Sequence, residues 1–173
     1  MAHPNTPQGD ASSLASSPNC LVRRTATGEG VFARRALAAG DSILDIEGER
    51  VPEPTRHSIQ LGLDLHIECA NAIDAEDMRA RFPWRFLNHR CEPNAIVVGR
   101  TLVAHRAIAA GEEITFDYTT TEAAMAEPFR CGCGAARCLG EVRGFLALAP
   151  DEQRARAGFV APHLKAFLPK PNA

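Results

Sequence analysis

Apolar positions in this chain fall mostly in short alternating runs, the period of strands that bury one face. Cys20 to Ala26 reads as a strand, and Gly28-Glu29-Gly30 then breaks it with residues free to take positive φ. Val31 to Arg35 resumes a strand, Ala38-Ala39-Gly40-Asp41 makes a turn, and Ser42 to Glu47 follows with Ile43, Leu44 and Ile46 apolar. Pro52 and Pro54 end that element and open a loop. Ile59 to Cys69 places Ile59, Leu61, Leu63, Leu65 and Ile67 on one face of a single strand. Asn71 to Arg81 is weakly helical and stops before Pro83. Ala95 to Val98 and Thr101 to Ala107 predict a hairpin around Gly99-Arg100, and a turn at Ala110-Gly111-Glu112 leads to a strand over Ile114–Tyr118. From Glu141 the spacing turns helical: Phe145, Leu146 and Leu148 come first, Pro150-Asp151 marks a helix start, and Leu164, Phe167 and Leu168 mark a last short helix.

One segment is echoed. Ala33 to Ile43 and Ala104 to Ile114 agree at seven of eleven positions. A single repeat pair is far short of a solenoid. It predicts one strand–turn–strand unit used twice in a sheet-rich domain.

Length and composition narrow the class. At 173 residues and 45% hydrophobic content, the chain has the size and composition of about one soluble domain with a real core. A net charge of −2 gives no field to collect phosphates, so nucleic acid is not expected as a direct partner. Residues 1–19, rich in Ser, Pro, Asn and Ala, hold no apolar run and read as a disordered tail rather than a signal or membrane span. A cytoplasmic, reducing setting follows as the expectation, with no membrane partner; there, clustered cysteines more often bind metal than form disulfides.

Two stretches carry the chemistry. Arg85-Phe86-Leu87-Asn88-His89-Arg90-Cys91-Glu92-Pro93-Asn94 packs an aromatic, an amide, an imidazole and a thiol together, too polar for core and too specialised for a spacer. Cys131, Cys133 and Cys138 supply three thiols within eight residues, a density suited to tetrahedral Zn²⁺. A fourth ligand must come from elsewhere. Cys20, Cys69 and Cys91 are candidates, with His as an outside one; Cys91 leads because its neighbours look functional and Pro93 stiffens its loop. Such a closed site would be structural, one zinc per chain. Cys20 and Cys69 sit in apolar contexts and read as small core residues.

With these pieces in order, the chain resembles the SET-domain protein-lysine methyltransferases over residues 20 to 142. Gly28-Glu29-Gly30-Val31-Phe32 resembles the family's first motif, Arg85 to Asn94 its Arg-Phe-x-Asn-His-Ser-Cys-x-Pro-Asn segment, and Glu113 to Tyr118 its Glu-x-Thr-Phe-Asp-Tyr strand. Cys131 to Cys138 resembles the post-SET zinc segment, whose fourth ligand matches Cys91. The resemblance implies a mainly β fold with short helices, small curved sheets around a pseudoknot in which Asn88-His89 and Phe116–Tyr118 thread together. It implies a SET domain over 20–120, a post-SET zinc segment over 127–142 and a helical extension over 143–173.

It also implies S-adenosylmethionine as methyl donor and a lysine of a protein substrate as acceptor. By resemblance, Gly28, Glu29, Gly30, Val31, Phe32, Arg85, Asn88, His89 and Tyr118 hold the donor, and Tyr118, the only tyrosine, orients the amine and methyl group as the catalytic residue. Phe86 and Phe116 wall the acceptor channel. A lysine amine has a pKa of about 10.4, so only about one in 2,500 is nucleophilic at pH 7, and an apolar channel helps strip its proton. What remains is in-line alignment, a positioning task. Two positions depart from the pattern. Ile46 stands where many members carry a tyrosine that hydrogen-bonds the amine, implying a roomier, more apolar channel, and Arg90 replaces serine. A small-molecule or unusual amine as acceptor, and a non-catalytic binding module, are the competing expectations.

Overall fold

The computed structural model describes residues 17–25 and 28–170; most of the expected tail, and Ala26, lie outside the described residues. The strands in chain order are β1 (Cys20–Thr25), β2 (Gly28–Ala33), β3 (Ser42–Asp45), β4 (Glu49–Val51), β5 (Ile59–Gly62) and β6 (Leu65–Glu68). After them come β7 (Asn88–His89), β8 (Ala95–Val98), β9 (Thr101–Ala104), β10 (Glu113–Phe116), β11 (Phe129–Arg130) and β12 (Glu141–Val142). Helix α1 (Ala75–Arg81) and α2 (Pro150–Ala155) are short, and single 3₁₀ turns occupy Pro83–Phe86, Tyr118–Thr120, Phe145–Ala147 and Pro162–Phe167. The strands form small sheets ordered β1-β2-β10-β7, β3-β9-β8, β4-β6-β5 and β11-β12, the mainly β fold with short helices expected.

The centre is the first sheet. β10 pairs antiparallel with β2 and parallel with β7, setting Thr115 beside Asn88 and Phe116 beside His89. The two segments expected to thread together therefore share one ladder. Arg90 N–H extends it by donating to the Phe116 carbonyl at 3.1 Å. Beneath them lies one apolar cluster that includes Val31, Ile43, Ile46, Ile67, Leu102 and Ile114. Trp84 is 1% exposed in that cluster, and its indole N–H donates to the Glu47 carbonyl at 3.0 Å, as a buried indole requires.

The internal echo becomes a local two-fold. Leu37 and Ile108, equivalent residues of the two copies, exchange both backbone bonds at 2.9 and 3.0 Å. Gly40 N–H donates to Ala104 O and Gly111 N–H to Ala33 O, each at 2.8 Å, which is the same contact read from either copy. The side chains follow: the Asp41 carboxylate accepts from Ala38 N–H at 3.0 Å as Glu112 does from Ala109 N–H at 2.9 Å. The expected repeated unit is thus also the interface between its own copies.

Three local expectations need correction. Ile59 to Cys69 is not one strand but the hairpin β5–β6, turning at Leu63-Asp64. Alternation runs on through such a short turn, so Ile59 pairs with buried Ile67 while Leu63, at the tip, is 58% exposed. The glycine segment does not break the sheet either. β2 starts at Gly28, and only Gly28 of its two glycines has positive φ, at 140°. Gly30 is close-packed instead: a Cβ there would sit 2.5 Å from Glu113 Oε1, so the end of that side chain would have to shift. Residues assigned to the tail also dock: Ser17 Oγ donates to Ile43 O at 2.6 Å and Asn19 Nδ2 to Ser42 O at 2.9 Å.

The C-terminal part packs back on the β core as 3₁₀ and α turns. Phe145, Val160 and Leu164 make a small buried cluster of their own. Arg156, just past α2, reaches Asp117 beside β10 and holds this part to the central sheet.

Candidate active site and metal centre

The loop from the 3₁₀ turn Pro83–Phe86 into β7 and the end of β10 face each other, and the site grows from that meeting. Tyr118 opens a 3₁₀ turn capped by Asp117, whose carboxylate accepts from Thr119 N–H at 3.0 Å. The turn aims the phenol back at the loop, where Tyr118 Oη donates to the Leu87 carbonyl at 2.5 Å. Burial, with the charges of Glu122 and Glu113, holds the hydroxyl above its ordinary range, so it stays protonated and a donor. Aromatic rings surround it: Phe116 at 4.8 Å, His89 at 5.2 Å and Phe129 at 6.0 Å between centroids.

Asn88 and His89 are fixed on every side. Asn88 Nδ2 donates to Glu29 O at 3.1 Å and Glu113 Oε1 at 2.7 Å, so it joins β2 to β10. His89 Nδ1 accepts from Tyr118 N–H at 3.2 Å, and its Nε2 lies 3.2 Å from Cys91 Sγ. Burial depresses the basicity of His89 against the opposing pull of Asp117, which favours a neutral ring.

Arg156 fastens the strand end from outside. Its Nε donates to Asp117 Oδ2 at 2.7 Å and Thr119 Oγ1 at 3.0 Å, and both members of the ion pair are at most 5% exposed. Glu152 completes the group at 2.6 Å.

A narrow cavity of about 50 Å³ opens beside the phenol, with Leu87, Phe116, Tyr118, Met125, Arg85 and Glu122 among its lining residues. Arg85 is therefore on the cavity side; it pairs with Glu68 at 3.1 Å and reaches Cys69 Sγ at 3.6 Å. His57 also lines the cavity, and burial and the nearby arginines lower its pKa. Ile46 and Phe86 are not in the lining: Ile46 is fully buried in the main core, with Phe86 packed against it. Glu29 meets Arg79 at 2.7 Å, and Arg90 is exposed.

The four thiols of Cys91, Cys131, Cys133 and Cys138 converge, all within 4.8 Å of one another. A tetrahedral site with metal–sulfur bonds of about 2.3 Å needs sulfurs about 3.8 Å apart, and Cys91 Sγ and Cys131 Sγ are separated by 3.8 Å. Cys20 is 2% exposed in the core and Cys69 lies against Arg85, so neither competes for the place. The β11–β12 ladder closes the base of the cysteine loop. Burial pushes the Cys91 thiol up; at Cys133 burial is outweighed by backbone N–H groups and neighbouring thiols, which bring it down to about 6. The donor set fits a metal ion.

A family model described as the SET domain matches residues 28–119. The chain belongs to the SET domain family. The match spans the glycine strand, the Asn88-His89 segment and Tyr118. A histone-lysine N-methyltransferase, H3 lysine-36 specific, of Eremothecium gossypii is 33% identical over 135 residues, covering 68% of this chain and 19% of the relative. Histone-lysine N-methyltransferase ash1 of Drosophila melanogaster is 35% identical over 133 residues, 68% of this chain and 6% of that one. Methyltransferase flvH of Aspergillus flavus is 32% identical over 97 residues, 54% of this chain and 48% of the relative. The chain thus spans less than half the length of each of these relatives.

Sequence reasoning missed Leu87 as an acceptor, Phe129, Glu122 and Arg156. Leu87 acts through its backbone, which side-chain motifs do not report. Arg156 is one of many arginines in a stretch read as a helical tail. Only Glu113, written into the Glu-x-Thr-Phe-Asp-Tyr pattern, carried a usable signal.

Proposed function

We propose that this SET domain is an S-adenosylmethionine-dependent protein-lysine N-methyltransferase. The observation that carries the reading is Tyr118, its hydroxyl tied to the Leu87 carbonyl, standing between a narrow cavity and the Asn88-His89 segment. S-adenosylmethionine, when bound, supplies a methyl group already activated on a sulfonium. Asn88, His89 and the Gly28–Phe32 strand would hold it. Phe116 and Leu87 keep water from the acceptor amine, and Tyr118 fixes the line of approach, which is where positioning lowers the barrier. Arg85 lends its charge to the cavity side, and Ile46 and Phe86 would shape the channel from behind its walls.

The acceptor is proposed to be a lysine of a protein, in keeping with the relatives named histone-lysine N-methyltransferases. Zn²⁺ is proposed for the cysteine centre, where Cys91, Cys131, Cys133 and Cys138 give the soft, closed set that a structural zinc prefers. No helix among the described residues is long and apolar enough to cross a membrane. A cytoplasmic setting suits four reduced thiols, and neither nucleic acid nor membrane is proposed as a direct partner.

The test is transfer of a labelled methyl group to purified core histones and to a cell lysate, with Tyr118→Phe as control. Label in protein bands that the variant fails to produce is the expected result. Donor binding by calorimetry with label confined to the low-mass fraction would instead assign a small amine as acceptor. Absence of donor binding would leave a binding module.

A further inference from the structure

We propose that Glu122 is a catalytic residue of this reaction: its carboxylate receives the cationic acceptor amine in the cavity beside Tyr118 and takes its proton. The assignment rests on the methyltransferase reading.

Glu122 is placed by the same turn that places the phenol, its N–H donating to the Tyr118 carbonyl at 2.9 Å. It is 6% exposed and is the only acidic side chain lining the cavity among the described residues. Its Oε1 accepts both of its bonds, from Gln60 N–H at 2.8 Å and Thr121 Oγ1 at 3.1 Å, leaving Oε2 with none among the described residues. No arginine or lysine pairs with it among those residues. The charged neighbours in the lining are already committed, Arg85 to Glu68 at 3.1 Å and Arg56 to Glu127 at 3.2 Å. His57 lies in the same lining with its pKa lowered, and His163 bonds the adjacent Thr121 carbonyl at 2.8 Å.

A buried carboxylate without a cation is costly. Burial lifts its pKa to about 7, against the two hydrogen bonds that pull it down, so near neutrality the acid and the carboxylate are both populated and the carboxylate is there to receive a proton. Anchoring Gln60 and Thr121 needs only an acceptor oxygen, which glutamine would supply equally. The charge has no structural use that the fold reveals. A ligand that completes the cavity combines an aliphatic stem, for Leu87 and Phe116, with an ammonium head for Oε2. A lysine side chain has that form.

The proton balance closes. The ammonium gives one proton to the Glu122 carboxylate and becomes a neutral amine. The nitrogen lone pair then bonds the methyl carbon, the carbon–sulfur bond breaks, and its electron pair stays on sulfur. The product leaves as a methylammonium, and the carboxylic acid returns its proton to solvent through the cavity mouth. An acid poised near the working pH suits this exchange.

Two measurements test the assignment. In the first, n-butylammonium and the neutral n-butanol are titrated into the protein and into Glu122→Gln, which keeps both Oε1 bonds. We expect n-butylammonium to bind the wild type at least about tenfold more tightly than the variant, with n-butanol indifferent. Equal binding of n-butylammonium to both would overturn the cation site. In the second, methyl transfer to core histones is followed against pH. The variant should be slower by about 100-fold at pH 7, with the deficit narrowing above about pH 9 as the amine ionises unaided. A deficit constant with pH, or none, would overturn the proton role. If the ammonium probe binds through Glu122 but no amine is ever methylated, the cation site stands and the methyltransferase reading falls.

Discussion

His89 Nε2 lies 3.2 Å from Cys91 Sγ while His89 Nδ1 accepts the Tyr118 backbone N–H at 3.2 Å. The second bond leaves Nδ1 without a proton, so in the neutral ring the proton sits on Nε2 and points at the sulfur. One imidazole therefore joins a thiol of the four-cysteine cluster to the backbone of Tyr118. His89→Ala should lower metal affinity by about 10–100-fold, as loss of an outer partner does, and should slow methyl transfer as well. Chelator competition measures the first effect; unchanged metal retention would show that the histidine acts on Tyr118 alone.

Tyr118→Phe removes one hydroxyl and leaves the Leu87 carbonyl without its donor. The stability cost should be modest, about 1–3 kcal/mol. The loss of methyl transfer should be far larger, about 100-fold or more, because orientation of the amine is the role proposed for the phenol. Denaturant unfolding beside the labelling assay separates the two effects. A variant that loses stability but keeps its rate would remove Tyr118 from the chemistry.

The metal centre predicts one ion per chain by elemental analysis. Cys91→Ser should reduce that ratio, and an unchanged ratio would exclude Cys91 as an essential ligand. Chelation should loosen the β11–β12 segment and Phe129, which meets Tyr118 edge-to-face at 6.0 Å, so activity falls without loss of any reacting group. Hydrogen exchange over residues 129–142 would register the loosening while β2 and β10 stay protected.

Arg156→Met should destabilise the fold by about 3–5 kcal/mol, the cost of leaving Asp117 buried without its cation. Replacing both partners, with Asp117→Asn added, should recover part of that loss. A cost below about 1 kcal/mol for the single change would mean that the C-terminal part only rests on the domain. Urea unfolding of the single and double variants decides it.

Two carboxylates give the stability curve opposite slopes. The Arg106 guanidinium, with further hydrogen bonds, holds Glu112 down to about 2, so its contribution is present above pH 4.5 and fades as the pH falls toward 2. Glu122, raised to about 7 by burial, binds its proton more tightly in the folded chain. Its contribution is present below pH 4.5 and is lost as the pH climbs through 7, by at most about 3 kcal/mol. Glu122→Gln should flatten the curve between pH 4.5 and 7, which thermal melts across that range would show.

Motif residues gave away the centre of the fold and the four-thiol cluster because both depend on rare residue types at short spacing. Cys131, Cys133 and Cys138 are neighbours in sequence, and Cys91 is recovered through its own motif. Alternation was less informative. It could not separate β5 from β6, since a two-residue turn preserves the parity of Ile59 and Ile67. Nor could it rank two buried acids: Asp117, with Arg156 in reach, is paired, and Glu122, five residues later, has no cation among the described residues. Partnering is a property of three-dimensional neighbours, and Arg156 comes from a segment with no motif at all.

The pairing of Leu37 with Ile108 also sets a timetable for synthesis. Neither copy of the repeated turn can find its mate until the chain has been made as far as Gly111, so the first half must wait with unpaired edges. Long-range closure of this kind slows folding. A nascent chain halted before Gly111 thus keeps those edges open, and the arrival of one short echo of an earlier segment closes them.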